Sequence, residues 1–542
     1  RTLLTLLLCL LPLTAFAQWP TTVEENLVLD SSGNRPSAFP YDNGATRVVY
    51  WTADGPLYQV IDPYGQLMYD PPTLVWPNYP GSGASKRINK EDGQGGIIAS
   101  WATNSGIADG NWAQRVDAQG NICWGDSALR VFPYGEAQYD FCSDGLGGWF
   151  FTTVTFSFVT YSTSIFLQHV NAEGQMTLPD SGLAIHTSAT GLQSPRIAPD
   201  GNGGFFLVWQ DFRPPYSTFG AGYRQHYDAQ YQPTWSDDGI LIAPNFWGYE
   251  LFPDGEGGLI VHGAPNNSYY KDVYRYSPNG NLMWELPQIS EGMFTATMIP
   301  GEPGFFYIGW SIWANATVYA QRIDIEGNIY WPTSGPGTGA IITQSDEFDI
   351  TEEQSSFGFH YPYFYAMYVY YDEFTPYMPP NYLFAQSLSL EGERRWGEAG
   401  TFFAEVIDTG YVWVPTNIVP DEQGGAVPVW YLKQVYQVYA KHIRDDGSIG
   451  GPTWPPPYEY QPGEPNLSVS NQTVHYTLSI PGEISIGLYN LLGRQLSSTS
   501  FFHQQAGVYT APLPIDGLSS GIYFLRVAMP VGEAVKKVAV VR

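Results

Sequence analysis

The chain has 542 residues, with 24 Lys plus Arg against 52 Asp plus Glu and a formal charge of −28. Nucleic acid and anionic membrane surfaces need clustered basic residues, so this balance excludes both as general partners. Hydrophobic residues reach 44%, which excludes global disorder, while 58 Gly, 43 Pro and 16% aromatic residues favour short strands and many turns over long helices.

The first element in chain order is a targeting segment. Residues 1–17 read RTLLTLLLCLLPLTAFA: one positive end, an apolar stretch from Leu3 to Leu13, and Ala15 and Ala17 before Gln18. This pattern predicts a secretory signal peptide, because a membrane span needs about 20 apolar residues. No later stretch is apolar enough to span a bilayer. Removal of the segment takes Cys9 with it and leaves Cys123 and Cys142. An oxidising compartment would permit a Cys123–Cys142 disulfide, with two buried free thiols as the alternative.

The middle of the chain repeats. One motif reads AQRVDAQGNICW up to Trp124 and returns as LQHVNAEGQMTL, RQHYDAQYQPTW, YRYSPNGNLMW, AQRIDIEGNIYW and AQSLSLEGERRW, with weaker copies on either side. Its turn position falls at Gly65, Gly120, Gly174, Tyr231, Gly280, Gly327, Gly392 and Gly447, in steps of 47 to 65 residues. A second motif, Asp-Gly-x-Gly-Gly, leads the first and starts at Asp92, Asp144, Asp200 and Asp254, with a worn copy at Asp421. Asp-Gly and Asn-Gly supply tight turns, and the runs between them are short, aromatic or β-branched, and near alternating. Each unit therefore holds about four antiparallel strands. Tandem four-stranded units that cannot bury both faces alone build a β-propeller. The fold class is all-β: a propeller of about eight blades, or seven if a terminal unit is partial, followed by a small Ig-like β-sandwich. The propeller region resembles secreted bacterial β-propellers of poorly defined activity.

Pro-rich residues lead into a stiff linker at 456–466. After it come short alternating strands with landmarks in a fixed order: Leu488, Tyr489, Gly493 and Arg494, then Gly521 and Tyr523, and a terminal basic strand with Lys536, Lys537 and Arg542. Residues 467–542 resemble the C-terminal sorting domain of type IX secretion substrates. The resemblance implies export via the periplasm, with the secretion machinery as a partner and release or outer-membrane surface attachment as the destination. The organisation expected is thus a signal peptide (1–17), an N-terminal segment (18–37), the propeller (38–455), the linker and the sorting domain.

Catalytic signatures are missing: no metal-binding His pair, nucleophile elbow, P-loop or dinucleotide fingerprint occurs. His169, His226 and His442 share one repeat register with Arg115, Arg275 and Arg322, which points to structural work. Gln114, Gln168, Gln225, Gln321 and Gln386 share another, suited to satisfying backbone groups. Trp124, Trp235, Trp284, Trp331 and Trp396 share a third, suited to packing between blades. The longest repeat step, between Gly327 and Gly392, holds an acidic run with Asp346, Glu347 and Asp349, whose carboxylates can take Ca²⁺. No other cofactor is indicated. Beyond the run lie Tyr361, Tyr363, Tyr365, Tyr368, Tyr370, Tyr371 and Tyr377, either a stacking surface for a glycan or protein ligand, or an alternating strand with half its rings in the core. The functional expectation is a surface or secreted binding protein, with an extracellular hydrolase or lyase and a structural surface component as alternatives.

Overall fold

A computed structural model describes residues 19–451 and 467–540, apart from short stretches at 80–83, 104–108, 135–137, 237, 293–295, 313–315, 334, 345–348, 351–354, 372–379, 408–416, 433–434, 471–472, 479–481, 491–494, 504–506, 516–517, 519–520 and 530–531. The signal-peptide and linker expectations lie outside the described residues, as do Asp346, Glu347, Tyr377, Gly493, Arg494 and Arg542.

Eight antiparallel sheets follow one another, so the count is eight blades rather than seven. Blades 1 to 6 span 34–74, 84–132, 139–188, 192–244, 247–291 and 297–344, each with four strands in chain order. Blade 7 spans 349–407; its first strand is split into Asp349–Ile350 and Ser356–His360, both paired to one edge of Tyr363–Tyr371. Blade 8 takes three strands from 417–440 and its outermost strand, Leu27–Asp30, from the other end of the chain.

The repeated turns explain the regularity. In each Asp-Gly-x-Gly-Gly turn the Asp Oδ1 accepts two backbone N–H groups, as Asp92 does from Gln94 and Gly96, both at 2.7 Å. The last glycine is required by close approach: a Cβ on Gly258 would meet the Tyr276 carbonyl oxygen at 2.3 Å. Because strands alternate in direction, the first–second and third–fourth turns of every blade fall on one side of the ring. These are the repeated motifs, and this is the turn face. The second–third loops and the connections between blades fall on the other side, where sequence and length vary. This is the loop face.

First strands surround the axis and are tied to one another. Asn417 Nδ2 donates to the Pro36 carbonyl at 3.1 Å, Asn89 Nδ2 to Ser37 at 2.9 Å, and Lys90 Nζ to Asp140 at 2.8 Å. Apolar clusters fill each blade-to-blade interface, one joining Trp310 of blade 6 to Ile260 and Val273 of blade 5.

The third register closes the ring. The residue four positions past each turn glycine packs on the corresponding turn of the next blade: Trp124 against Gly174, Trp235 against Gly280, Trp284 against Gly327, Trp331 against Gly392 and Trp396 against Gly447. Four of these indoles donate to a carbonyl across the interface, with Trp331 reaching Leu390 at 2.9 Å and Trp396 reaching Asp445 at 3.0 Å. In blade 8 that position is Gly451, with no ring to offer. Trp19 fills the gap from the N-terminus: it lies against Gly451 and Gly65, stacks on His442 at 5.6 Å and donates to the Pro63 carbonyl at 2.9 Å. Part of the segment expected to stand outside the propeller is therefore the part that closes it, and sheet pairing begins at residue 27, not 38.

The C-terminal region folds as two sheets, of three strands (within 467–512) and four strands (within 482–540). Val474, Tyr476, Ile484, Ile486, Leu488, Leu525 and Val527 form the core between them.

Candidate functional site

The registers seen in the sequence are structural. His169 Nε2 and His226 Nε2 each meet the turn aspartate of their own blade, Asp144 and Asp200, at 2.9 Å, and Arg115 and Arg275 do the same with Asp92 and Asp254. Gln114 donates Nε2 to the Gly125 carbonyl at 2.7 Å while its Oε1 accepts from the Arg115 and Trp124 N–H groups. The other register glutamines repeat this clamp.

Three rings of the tyrosine run are core. Tyr365, Tyr368 and Tyr370 are at most 3% exposed. Tyr368 Oη donates to the Ala399 carbonyl at 2.8 Å, and Tyr370 Oη lies 2.8 Å from Thr343 Oγ1. Alternation misleads here because the second strand of a blade is covered on both faces, by blade 6 on one side and blade 8 on the other. Tyr363 is half-buried beneath the Arg395 guanidinium at 3.5 Å. Tyr361 is exposed, but on the turn face. Tyr371 pairs with Asn381 through the backbone, and Asp349 with Tyr371 likewise. Among the described side chains of the run, Tyr361 alone is exposed. Among the described residues no group of three or more His, Cys, Asp or Glu could hold a metal ion.

The cysteines are not bridged. Cys123 is exposed on a turn of blade 2, whereas Cys142 is buried in the core between blades 3 and 4, where burial pushes its thiol well above the ordinary value.

One constellation that sequence reading missed crosses blade 5. Glu250 Oε2 lies 3.0 Å from His262 Nδ1, and His262 Nε2 lies 3.1 Å from Ser290 Oγ. The three residues lie on the first, second and fourth strands of the blade, and only the folding of the sheet, with the third strand between the second and fourth, brings them together. The order matches an acyl-transfer triad, but the burial does not. Ser290 and His262 are 0% exposed, so the hydroxyl has no path to a substrate. Glu250 also accepts the Met298 N–H at 2.8 Å, tying blade 5 to blade 6. Burial, with Lys271 nearby, pulls His262 down to about 4, which keeps the ring neutral at the centre of a sealed structural network.

What remains open is the loop face. Phe158 is 81% exposed, Tyr161 and Tyr269 are each 74% exposed, and Tyr436 is 53% exposed, all on second–third loops of blades 3, 5 and 8. Near the axis, the first strands begin at this face and carry Arg35, Lys86, Arg87 and Arg196.

In the C-terminal region Leu488 and Tyr523 are core residues, Tyr489 ends the strand Gly482–Tyr489, Gly521 opens the strand Gly521–Met529, and Lys536 and Lys537 are exposed on the last strand.

Residues 465–541 match the family model described as a secretion system C-terminal sorting domain. No curated protein matches the sequence. Among solved structures, prolyl oligopeptidase B from Galerina marginata is similar over 76% of this chain and 56% of its own, at 9% identity and a TM-score of 0.40. This chain thus spans little more than half the length of that peptidase. The β-propeller domain of the Trilobed protease from Pyrococcus furiosus aligns over 68% of this chain and 98% of its own, at 9% identity and a TM-score of 0.33. An exo-β-1,3-galactanase from Phanerochaete chrysosporium aligns over 64% and 95%, at 11% identity and a TM-score of 0.23. Likenesses this distant carry no argument about activity. The chain is an eight-bladed propeller followed by a sorting domain of type IX secretion, which marks it for export to the cell surface or beyond.

Proposed function

We propose that this exported propeller is a binding protein that presents its loop face to a glycan or protein ligand. The observation that carries the reading is the division of labour between the faces. The recurring His, Arg and Gln brace the turns of their own blades and the recurring Trp pack on the next blade, while most of the exposed rings lie on the loops that do not repeat. Loops on a rigid scaffold are where binding residues concentrate, and exposed aromatic residues mark interaction surfaces. The hydrolase reading has one feature in its favour, the Glu250–His262–Ser290 order, and its burial weighs against it.

The test is a glycan-array screen of the chain from residue 18 onward, with and without Ca²⁺, alongside an assay for loss of the bound sugars. Selective retention without loss is the expected result. Depletion of the bound glycan would overturn the binding reading in favour of an enzyme. For delivery, deleting 465–541 should trap the propeller in the periplasm; a truncated chain found at the surface would refute the route.

A further inference from the structure

Several arginines in this acidic chain are matched with carboxylates: Arg47 with Glu91, Arg115 with Asp92, Arg213 with Asp211, Arg275 with Asp254 and Arg322 with Glu302. At the axial mouth of the loop face four cations come together without such a match. Arg35, Lys86, Arg87 and Arg196 have no carboxylate within 4.0 Å among the described residues. The nearby first-strand carboxylates are already engaged, Asp140 by Lys90 and the Ile197 N–H, Glu250 by His262 and the Met298 N–H.

Lys86 Nζ donates to the Tyr139 carbonyl at 2.8 Å and Arg196 Nη1 to the Pro195 carbonyl at 3.4 Å, which leaves further donors of both side chains unused among the described residues. Arg87 lies over the Trp51 ring at 4.5 Å, and its Nε is buried without a hydrogen-bond partner. Trp51 and Trp101 meet edge to face at 5.6 Å, and Trp76 lies 5.0 Å from Trp101. All three indole N–H groups are buried and unpartnered, on residues no more than 2% exposed. Buried donors without acceptors are costly, and of these four only Arg87 Nε belongs to a side chain that is not fully buried. Like charge is also crowded. Burial, then Arg35, pulls Arg87 down to about 10, and burial, then Arg196, pulls Lys86 down to about 8.

We propose that the loop-face mouth beside blades 1 and 2 is an anion site that takes the carboxylate groups of an acidic, uronate-bearing oligosaccharide, with Arg35, Lys86, Arg87 and Arg196 as its cationic wall. A guanidinium recognises carboxylate by paired N–H donation. The exposed tyrosines of the same face offer an apolar surface to sugar rings, which favours a uronate chain over an acidic peptide. The inference rests on the binding reading and names its ligand.

The test is titration of the chain from residue 18 onward with oligogalacturonate, a neutral galactose oligomer of equal length and an oligoglutamate peptide, followed by tryptophan fluorescence and calorimetry. The expected result is binding of the oligogalacturonate alone, weakened by added salt. Arg35→Gln and Arg196→Gln should each weaken it about tenfold, because losing a charge-assisted hydrogen bond costs that much. Both side chains are at least partly exposed, so folding, checked by near-ultraviolet circular dichroism, should be retained. Oligogalacturonate binding unchanged in both variants, or preference for the neutral oligomer, would overturn the anion site while leaving glycan binding intact. Preference for the peptide would overturn the ligand class. If no glycan on the array binds, glycan binding itself falls.

Discussion

Removing one ring should loosen the closure of the propeller. Trp19 is 2% exposed, is held between Gly65 and Gly451, and donates to the Pro63 carbonyl. Truncating a buried Trp to Ala costs about 3–5 kcal/mol. Area gives a similar figure: burying roughly 150–250 Å² at about 25 cal/mol/Å² is worth about 4–6 kcal/mol. The loss is local to the closure, so its readout is opening of the ladder that joins Leu27–Asp30 to Gln437–Ala440. In Trp19→Ala, amide hydrogen exchange there should accelerate by about three decades, since each 1.4 kcal/mol is about tenfold. The double variant Trp19→Ala with Gly451→Trp returns the ring to its register position. The three atoms nearest an added Cβ on Gly451 all belong to Trp19, the first at 2.5 Å, so the double variant should recover most of the protection. An acceleration below about tenfold, or no rescue, would refute the closure argument.

Three further outcomes follow from the same structure. His262 is held near 4 when folded against an ordinary 6.5, so the unfolded chain binds the extra proton and stability should fall as pH drops from 6.5 to 4, by roughly 3 kcal/mol; urea denaturation across that window should show the slope, and a slope unchanged in His262→Gln would assign it elsewhere. Gly258→Ala should cost about 1–3 kcal/mol by overpacking because its Cβ would meet the Tyr276 carbonyl at 2.3 Å, whereas Gly335→Ala, with nothing within 4 Å, should be neutral; equal thermal shifts would refute the contrast. In the chain from residue 18 onward, a thiol reagent should react with Cys123 in the native state and with Cys142 only after unfolding; no reaction at either site in denaturant would mean a disulfide forms.

The repeat determined most of the architecture by itself. Asp-Gly-x-Gly-Gly and Asp-x-x-Gly specify their turns through local hydrogen bonds and positive-φ glycines, so blade number and strand order are legible in one dimension. The sorting domain was legible for a related reason, since its landmarks keep their order along the chain. Tertiary structure alone decided three things. Trp19 and Leu27–Asp30 have no local signal for closure, because their partners lie more than 400 residues away, at Gly451 and Gln437–Ala440. The alternation at 361–371 reads as half-exposed, yet a strand between two blades has no solvent face. The Glu250–His262–Ser290 chain and the cationic mouth exist because strand pairing and ring closure bring separated residues to one level, and no spacing in the sequence encodes that distance.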